Sequence, residues 1–141
     1  MADTIILDRL IKSARINSSK LFVWGEPVTT QDVKDFLSIG KHGTEIPYGN
    51  NHNMIPDVKD KDYHISRVAY FVQHPEEITD IDVDNQCVGM YITSRAIVTD
   101  GWHRLMAAYI LGLETIEVNY GGRVDVLEYL QGLRNEEDLE D

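Results

Sequence analysis

Ala96-Ile97-Val98-Thr99-Asp100-Gly101-Trp102-His103-Arg104, continuing through Leu105-Met106-Ala107-Ala108-Tyr109-Ile110-Leu111-Gly112-Leu113, is the stretch that decides the fold. Ala96–Thr99 is a short apolar run that reads as a strand, and Asp100-Gly101 breaks it. Trp102–Leu111 is apolar on nearly every face, which predicts a helix buried on most sides. Asp100 is positioned to accept from the first free N–H groups of that helix. Gly112 with Leu113 predicts its glycine C-cap. Ile116, Val118 and Tyr120 then alternate with polar residues at strand period. The unit is therefore strand, helix, strand, with His103 and Arg104 in the first turn of a buried helix. Free N–H groups and the positive end of the helix dipole lie there, a setting that suits a phosphate.

Outward from this unit, the pattern predicts an α+β fold with a small mixed sheet and surrounding helices. Leu7, Leu10, Ile11 and Ala14 fall at helical spacing and predict a helix over about Thr4–Arg15. Leu21–Trp24 reads as a strand stopped by Gly25 and Pro27. Thr29 or Thr30 caps a second helix facing inward with Val33, Phe36 and Leu37 and closed by Gly40. A third helix spans about Asp62–Gln73, with Ile65, Val68, Ala69 and Val72 as its apolar stripe and Pro75 after its end. Ile81 and Val83 alternate with aspartates as a half-buried strand. Val88–Ile92 and Ala96–Thr99 follow as strands, with turns at Asp84-Asn85-Gln86 and Thr93-Ser94-Arg95. A last helix carries Val124, Leu127 and Leu130. Residues 1–135 form one domain, and 136–141 form an acidic tail, read as frayed.

Between Lys41 and Asp60 the periodicity disappears, and three asparagines, two histidines, two prolines and two glycines take its place. A loop of that length inside a domain reads as an ordered lid or binding loop, or else as an exposed insertion.

With 141 residues and 43% hydrophobic composition, a single domain with a proper core is expected. No apolar run is long enough to span a bilayer, which argues against membrane insertion. The N-terminus lacks the pattern of a secretion signal, and the lone Cys87 suits a reducing cytoplasm, where it reads as a small buried apolar residue. The net charge is −11, of which Glu136, Glu137, Asp138, Glu140 and Asp141 supply −5, leaving −6 for the body. Such a surface disfavours nonspecific duplex DNA binding and is suited to a basic partner protein or simply to solubility.

The segment from about Asp62 to Tyr120, with Asp100-Gly101-Trp102-His103-Arg104 as its signature, resembles the ParB/sulfiredoxin superfamily. That superfamily shares a strand, a Gly-x-His-Arg or related turn, a helix and a following strand. The resemblance implies a ParB/sulfiredoxin-like fold with nucleotide triphosphate, accompanied by Mg2+, bound at this turn, and hydrolysis or transfer of phosphate in some members. Two departures qualify it. Sulfiredoxins place a catalytic cysteine immediately before His-Arg, where this chain has Trp102, so sulfinic-acid repair is not expected. Chromosome-partition members carry a Gly-Glu-Arg-Arg turn and a separate DNA-binding domain, for which this chain leaves no room.

Each candidate residue has two readings. Arg104 sits at the helix end that cations avoid, so it calls for an anion, either a phosphate or a neighbouring Asp or Glu; the resemblance favours phosphate. His103 is a candidate donor to phosphate, or acid or base, or else a helix-start histidine bonded to a neighbour. Asp100 reads first as a cap and second, beside phosphate, as an acid–base or metal-holding carboxylate. Gly101 serves close backbone approach or the turn alone. Trp102 stacks on a base, walls the pocket, or simply packs. His64 and Arg67, one turn apart on the third helix, either complete a cationic phosphate site with Arg104 or form a solvated polar face. His42, His52, Asp57, Asp60 and Asp62 show no tight metal-ligand spacing, and no resident metal site is assigned. No Walker-type loop, serine-hydrolase elbow or paired-cysteine zinc motif is present.

Three functions fit these features. One is a nucleotide phosphohydrolase or phosphotransferase, and another is a binding module for a nucleotide or phosphorylated small molecule. The third is a phage- or plasmid-type interaction protein that inhibits a basic host protein through its acidic surface.

Overall fold

The computed structural model describes residues 2–16, 20–21, 28–45, 61–86 and 92–139. β1 (Asp3–Ile6) leads directly into α1 (Leu7–Ser13). β2 (Lys20–Leu21) and β3 (Val28–Thr29) pair, and α2 (Thr30–Ser38) follows. α3 (Lys61–Gln73) runs into a single 3-10 turn at Pro75–Glu77. Next come β4 (Ile81–Gln86), β5 (Ile92–Asp100), α4 (Trp102–Leu111), β6 (Thr115–Tyr120) and α5 (Val124–Leu130). Among the described residues the main sheet has four strands in the order β1-β6-β4-β5. β4 runs parallel to β6, and the other pairs are antiparallel. The fold is therefore α+β with a small mixed sheet, and α4 carries the chain from β5 across β4 to β6.

One face of this sheet makes the core. Ile5, Ile116, Val118, Ile81, Val83, Ala96 and Val98 are buried. Packed into the same cluster are Leu7 and Leu10 of α1, Val68 and Ala69 of α3, Leu105–Ala108 of α4, and Val126, Tyr129 and Leu130 of α5. The register sets Ile5 opposite Ile116 and Ile81 opposite Val118, so the apolar residues of neighbouring strands line up on one side. Thr4, Thr115, Glu117, Asn119 and Thr99 on the other side are exposed, and Asp82 and Asp84 are half-buried. No helix among the described residues is long and apolar enough to cross a membrane.

The strand–helix–strand unit forms as its periodicity predicts. Gly101 at φ 91° and Gly112 at φ 72° bracket α4 in the left-handed region. Leu113 N–H donates to Ala108 O at 3.2 Å to close the helix end. The cap differs from expectation: Gly101 is the N-cap residue, and the Asp100 carboxylate accepts only from the adjacent Gly101 N–H at 2.8 Å. Asp100 still belongs to β5, opposite Asp82, so its side chain leaves with the strand. At α2, Thr29 caps as expected, in a reciprocal box with Asp32 at 3.0 Å in each direction.

Elsewhere tertiary pairing overrides the local pattern. Residues 4–6, read as the start of a helix, belong to the strand Asp3–Ile6 because β6 offers a partner ladder to the β-branched Thr4-Ile5-Ile6. The two turns expected at 84–86 and 93–95 lie inside β4 and β5, where register shifts take up the irregular residues. Asn85 is fully buried there. Its amide donates to Arg95 O at 2.9 Å, and its carbonyl accepts from Arg123 N–H at 2.8 Å and from the Tyr120 hydroxyl. In α5 the inward face is Val126, Tyr129 and Leu130, while Val124 is 69% exposed at the first turn. In the tail, Glu136 pairs with Lys12 at 2.8 Å and Leu139 packs partly buried against the core.

Residues 41–45 are tied to α3. Gly43 N–H donates to Gln73 Oε1 at 2.8 Å, Thr44 N–H donates to Ser66 O at 3.2 Å, and Gln73 Nε2 donates to Lys41 O at 2.8 Å. Gly43 lies so close to α3 that an added Cβ would stand 2.1 Å from Tyr70 N. The rest of the loop read as a lid, 46–60, lies outside the described residues, as do 22–24, Cys87 and 88–91.

Candidate functional site

α3 and α4 pack side by side, and each presents its first turn to the other. His64 stands in the first turn of α3 and His103 in the first turn of α4. His64 Nδ1 and His103 Nε2 are 3.0 Å apart, one donating and the other accepting. The Tyr63 ring stands edge-on to both imidazoles, with centroids at 5.3 and 6.1 Å.

Arg67 lies one turn beyond His64 on α3, and Arg104 directly follows His103 in the first turn of α4. The Arg67 guanidinium carbon sits 4.5 Å from the Phe71 ring centroid and that of Arg104 sits 5.0 Å from it, so one ring supports both cations. Arg67 also donates to Thr44 O at 3.2 Å, which joins the 41–45 segment to the site. Arg104 Nε is shielded from solvent and has no hydrogen-bond partner among the described residues. Among the described residues the ion pairs are Lys12–Glu136, Lys61–Asp32, Arg123–Asp125 and Arg134–Glu128. Neither Arg67 nor Arg104 takes part in one.

The electrostatics follow from this crowding. Burial, and then His64, Arg67 and Arg104, push the His103 imidazole down to about 3. At neutral pH His103 is uncharged. Burial also lowers the Arg67 guanidinium from its ordinary value, and Arg104 adds to that effect. The Tyr70 hydroxyl is pushed up to about 12, chiefly because it donates to the Glu77 carboxylate. That bond holds the nearby acid on Tyr70 rather than on an arginine.

Four residues singled out in the sequence thus come together: His64, Arg67, His103 and Arg104. The solvated-face reading of His64 and Arg67 is overturned, since they are 1% and 8% exposed. Helix α3 turns them towards α4 because Val68, Ala69 and Phe71 must reach the core, whereas Ile65 and Val72 are only partly covered. The other three residues of the signature turn make different contacts. Asp100 is exposed and engaged with Gly101. Gly101 sits against β4, where an added Cβ would lie 2.9 Å from Ile81 Cα, so its close approach is to the sheet. Trp102 packs partly buried against the core. Of the metal candidates, His42 and Asp62 are exposed, and His52, Asp57 and Asp60 lie outside the described residues.

Sequence reading missed Phe71 and Tyr63. Phe71 follows Arg67 by four residues, the spacing at which helical side chains meet, and that was the available signal. The arrangement suits an oxyanion. Among the described residues the two guanidiniums have no carboxylate partner, and the α4 N–H groups ahead of the first intrahelical bond, Leu105 N to Gly101 O at 2.9 Å, have no acceptor within the helix. No protein-family model, no curated protein and no solved structure matches this chain.

Proposed function

We propose that this protein binds a nucleotide or another phosphate-bearing small molecule where the first turns of α3 and α4 meet. Arg67 and Arg104 take the phosphate oxygens, and His64 and His103 border them. The observation that carries this reading is the shielded Arg104 Nε, unpartnered among the described residues, beside a second guanidinium that has no ion pair among them. A buried donor left unmade costs stability, and a site that binds an anion recovers that cost on binding. The ParB/sulfiredoxin resemblance points to the same turn and to the same class of ligand.

A thermal-shift panel of nucleotides and inorganic phosphate, with and without Mg2+, tests it. Ligand at a hundred times its dissociation constant adds about 2.7 kcal/mol of apparent stability. No shift with any phosphate compound would overturn the reading. Turnover is the extension of the proposal: with nucleotide triphosphate and Mg2+, phosphate release that depends on Asp100 and His103 would make this a phosphohydrolase or phosphotransferase.

A second reading, an interaction protein of phage or plasmid type, draws support from the polar residues on the sheet face opposite the core. Glu117, Asp82 and Asp84 share it with Asn119 and Thr99, and the whole chain carries −11. A complex with a basic protein, lost at high salt and weakened by Glu117→Lys, would favour it.

A further inference from the structure

Three cations gather near the start of β5, whereas the α3–α4 seam lies beyond its end. Lys12, Ser13 and Arg15 at the close of α1, Arg95 of β5, and Glu136 and Leu139 of the tail line a cleft of about 220 Å3. Three cations stand here against one carboxylate, on a chain that carries 13 Lys and Arg against 24 Asp and Glu. At physiological salt, charges farther off than about 8 Å are largely screened, so the cleft's own balance governs what enters it.

The three cations are not equally engaged. Lys12 is taken by Glu136 at 2.8 Å, with both side chains more than half exposed. Neither Arg15 nor Arg95 takes part in an ion pair among the described residues. Arg95 reaches over the last carbonyls of α1, with Nε 3.4 Å from Ser13 O and Nη2 3.5 Å from Ala14 O. Those contacts are long beside the roughly 2.7–2.9 Å of a charge-assisted bond to an anion. Its Nη1 makes no hydrogen bond among the described residues. Arg15 stands just past the end of α1 at φ 53°. Its N–H donates to Lys12 O at 3.2 Å, and the Ile16 N–H donates to Ile11 O at 3.0 Å. Glycine is the usual residue at that point of such a helix ending, and a side chain there strains the backbone. The strained residue is an exposed arginine on the wall of the cleft.

We propose that this cleft binds a compact oxyanion carrying two or more charges, with Arg15 and Arg95 as its anchors, and that Glu136 competes with the anion for Lys12. A guanidinium takes phosphate or carboxylate oxygens through paired N–H···O bonds, and two guanidiniums beside an ammonium call for more than one negative charge. The cleft is smaller than the about 300–1,000 Å3 of sites that enclose drug-sized ligands, so it suits the anionic group alone. The proposal does not depend on the α3–α4 seam, whose residues take no part in it.

Amide NMR of the isotope-labelled chain, titrated at neutral pH with pyrophosphate and with citrate at constant ionic strength, tests it. At least one of the two is expected to give saturable shifts at residues 12–16 and 94–96, and comparing them separates a phosphate source from a carboxylate one. Acetate, with a single charge, should bind about tenfold more weakly or worse, because it engages only one guanidinium. Arg15→Gln combined with Arg95→Gln should weaken binding by about fivefold or more, and Glu136→Gln, which releases Lys12, should tighten it by about two- to fivefold, the worth of one exposed ion pair. No saturable shift with either anion, or shifts confined to the first turns of α3 and α4, would overturn the cleft as a site. Unchanged binding in the double arginine variant would overturn the anchors. Equal binding of acetate would overturn the charge requirement, and unchanged or weaker binding in Glu136→Gln would overturn the competition.

Discussion

His64 Nδ1 and His103 Nε2, 39 positions apart in the chain, stand 3.0 Å from each other and join the first turns of two helices. That contact closes the α3–α4 seam and places both imidazoles beside the paired arginines.

The first expectation concerns pH and stability. The folded-state value of His103 lies near 3, below its ordinary 6.5. A histidine kept neutral in the fold favours the unfolded chain once that chain can protonate. Stability is therefore full above about pH 6.5 and is lost as pH falls towards about 3, by on the order of 3–5 kcal/mol if the whole shift is expressed. Urea denaturation at pH 7.0, 5.5 and 4.5 checks this. The loss should be visibly smaller in His103→Gln, and an equal loss in both proteins would assign the acid sensitivity to other groups.

Arg104→Met should weaken phosphate-ligand binding by about ten- to a hundredfold, the worth of charge-assisted hydrogen bonds of about 1.5–3 kcal/mol. Stability should change little or rise, because no buried acid is stranded and the crowding with Arg67 and His103 is relieved. Paired ligand titration and denaturation separate the two effects. A large loss of stability would show that the guanidinium is held structurally.

Gly101→Ala should destabilise the protein by about 1–3 kcal/mol. The residue combines φ 91° with an approach in which a Cβ would lie 2.9 Å from Ile81 Cα. The denaturation midpoint should fall with an unchanged slope, and a neutral result would mean that β4 yields at that point.

Asn85→Leu should be costly, at about 1–3 kcal/mol for each buried group it strands. The Asn85 amide bridges Arg95 of β5 and the Arg123 backbone after β6, and it accepts from the Tyr120 hydroxyl. Hydrogen exchange at the amides of Arg123 and its neighbours should speed up. Wild-type protection there would sink this account.

Random duplex DNA should remain unbound at physiological salt. With a net charge of −11 the chain has little to gain from counterion release. A gel shift at micromolar protein would reveal the contrary.

The sequence by itself determined the unit from β5 to β6. The all-round apolar run Trp102–Leu111, the glycines at both its ends and the alternation of Ile116, Val118 and Tyr120 are local signals, and each forms the element it predicts. The Thr29 box is legible for the same reason, since its partners are three residues apart. It also marked His64, Arg67, His103 and Arg104 as residues to watch. Only the tertiary structure decided that they meet. Helical period ranks the faces of α3, but it does not say that the polar edge with His64 and Arg67 will press against α4. Likewise Ile5 becomes strand because Ile116 lies opposite it, and Asn85 stays in a strand because Arg95, Tyr120 and Arg123 supply its bonds. Those partners lie far along the chain, and hydrogen-bond pairing and burial across such distances have no local period to betray them.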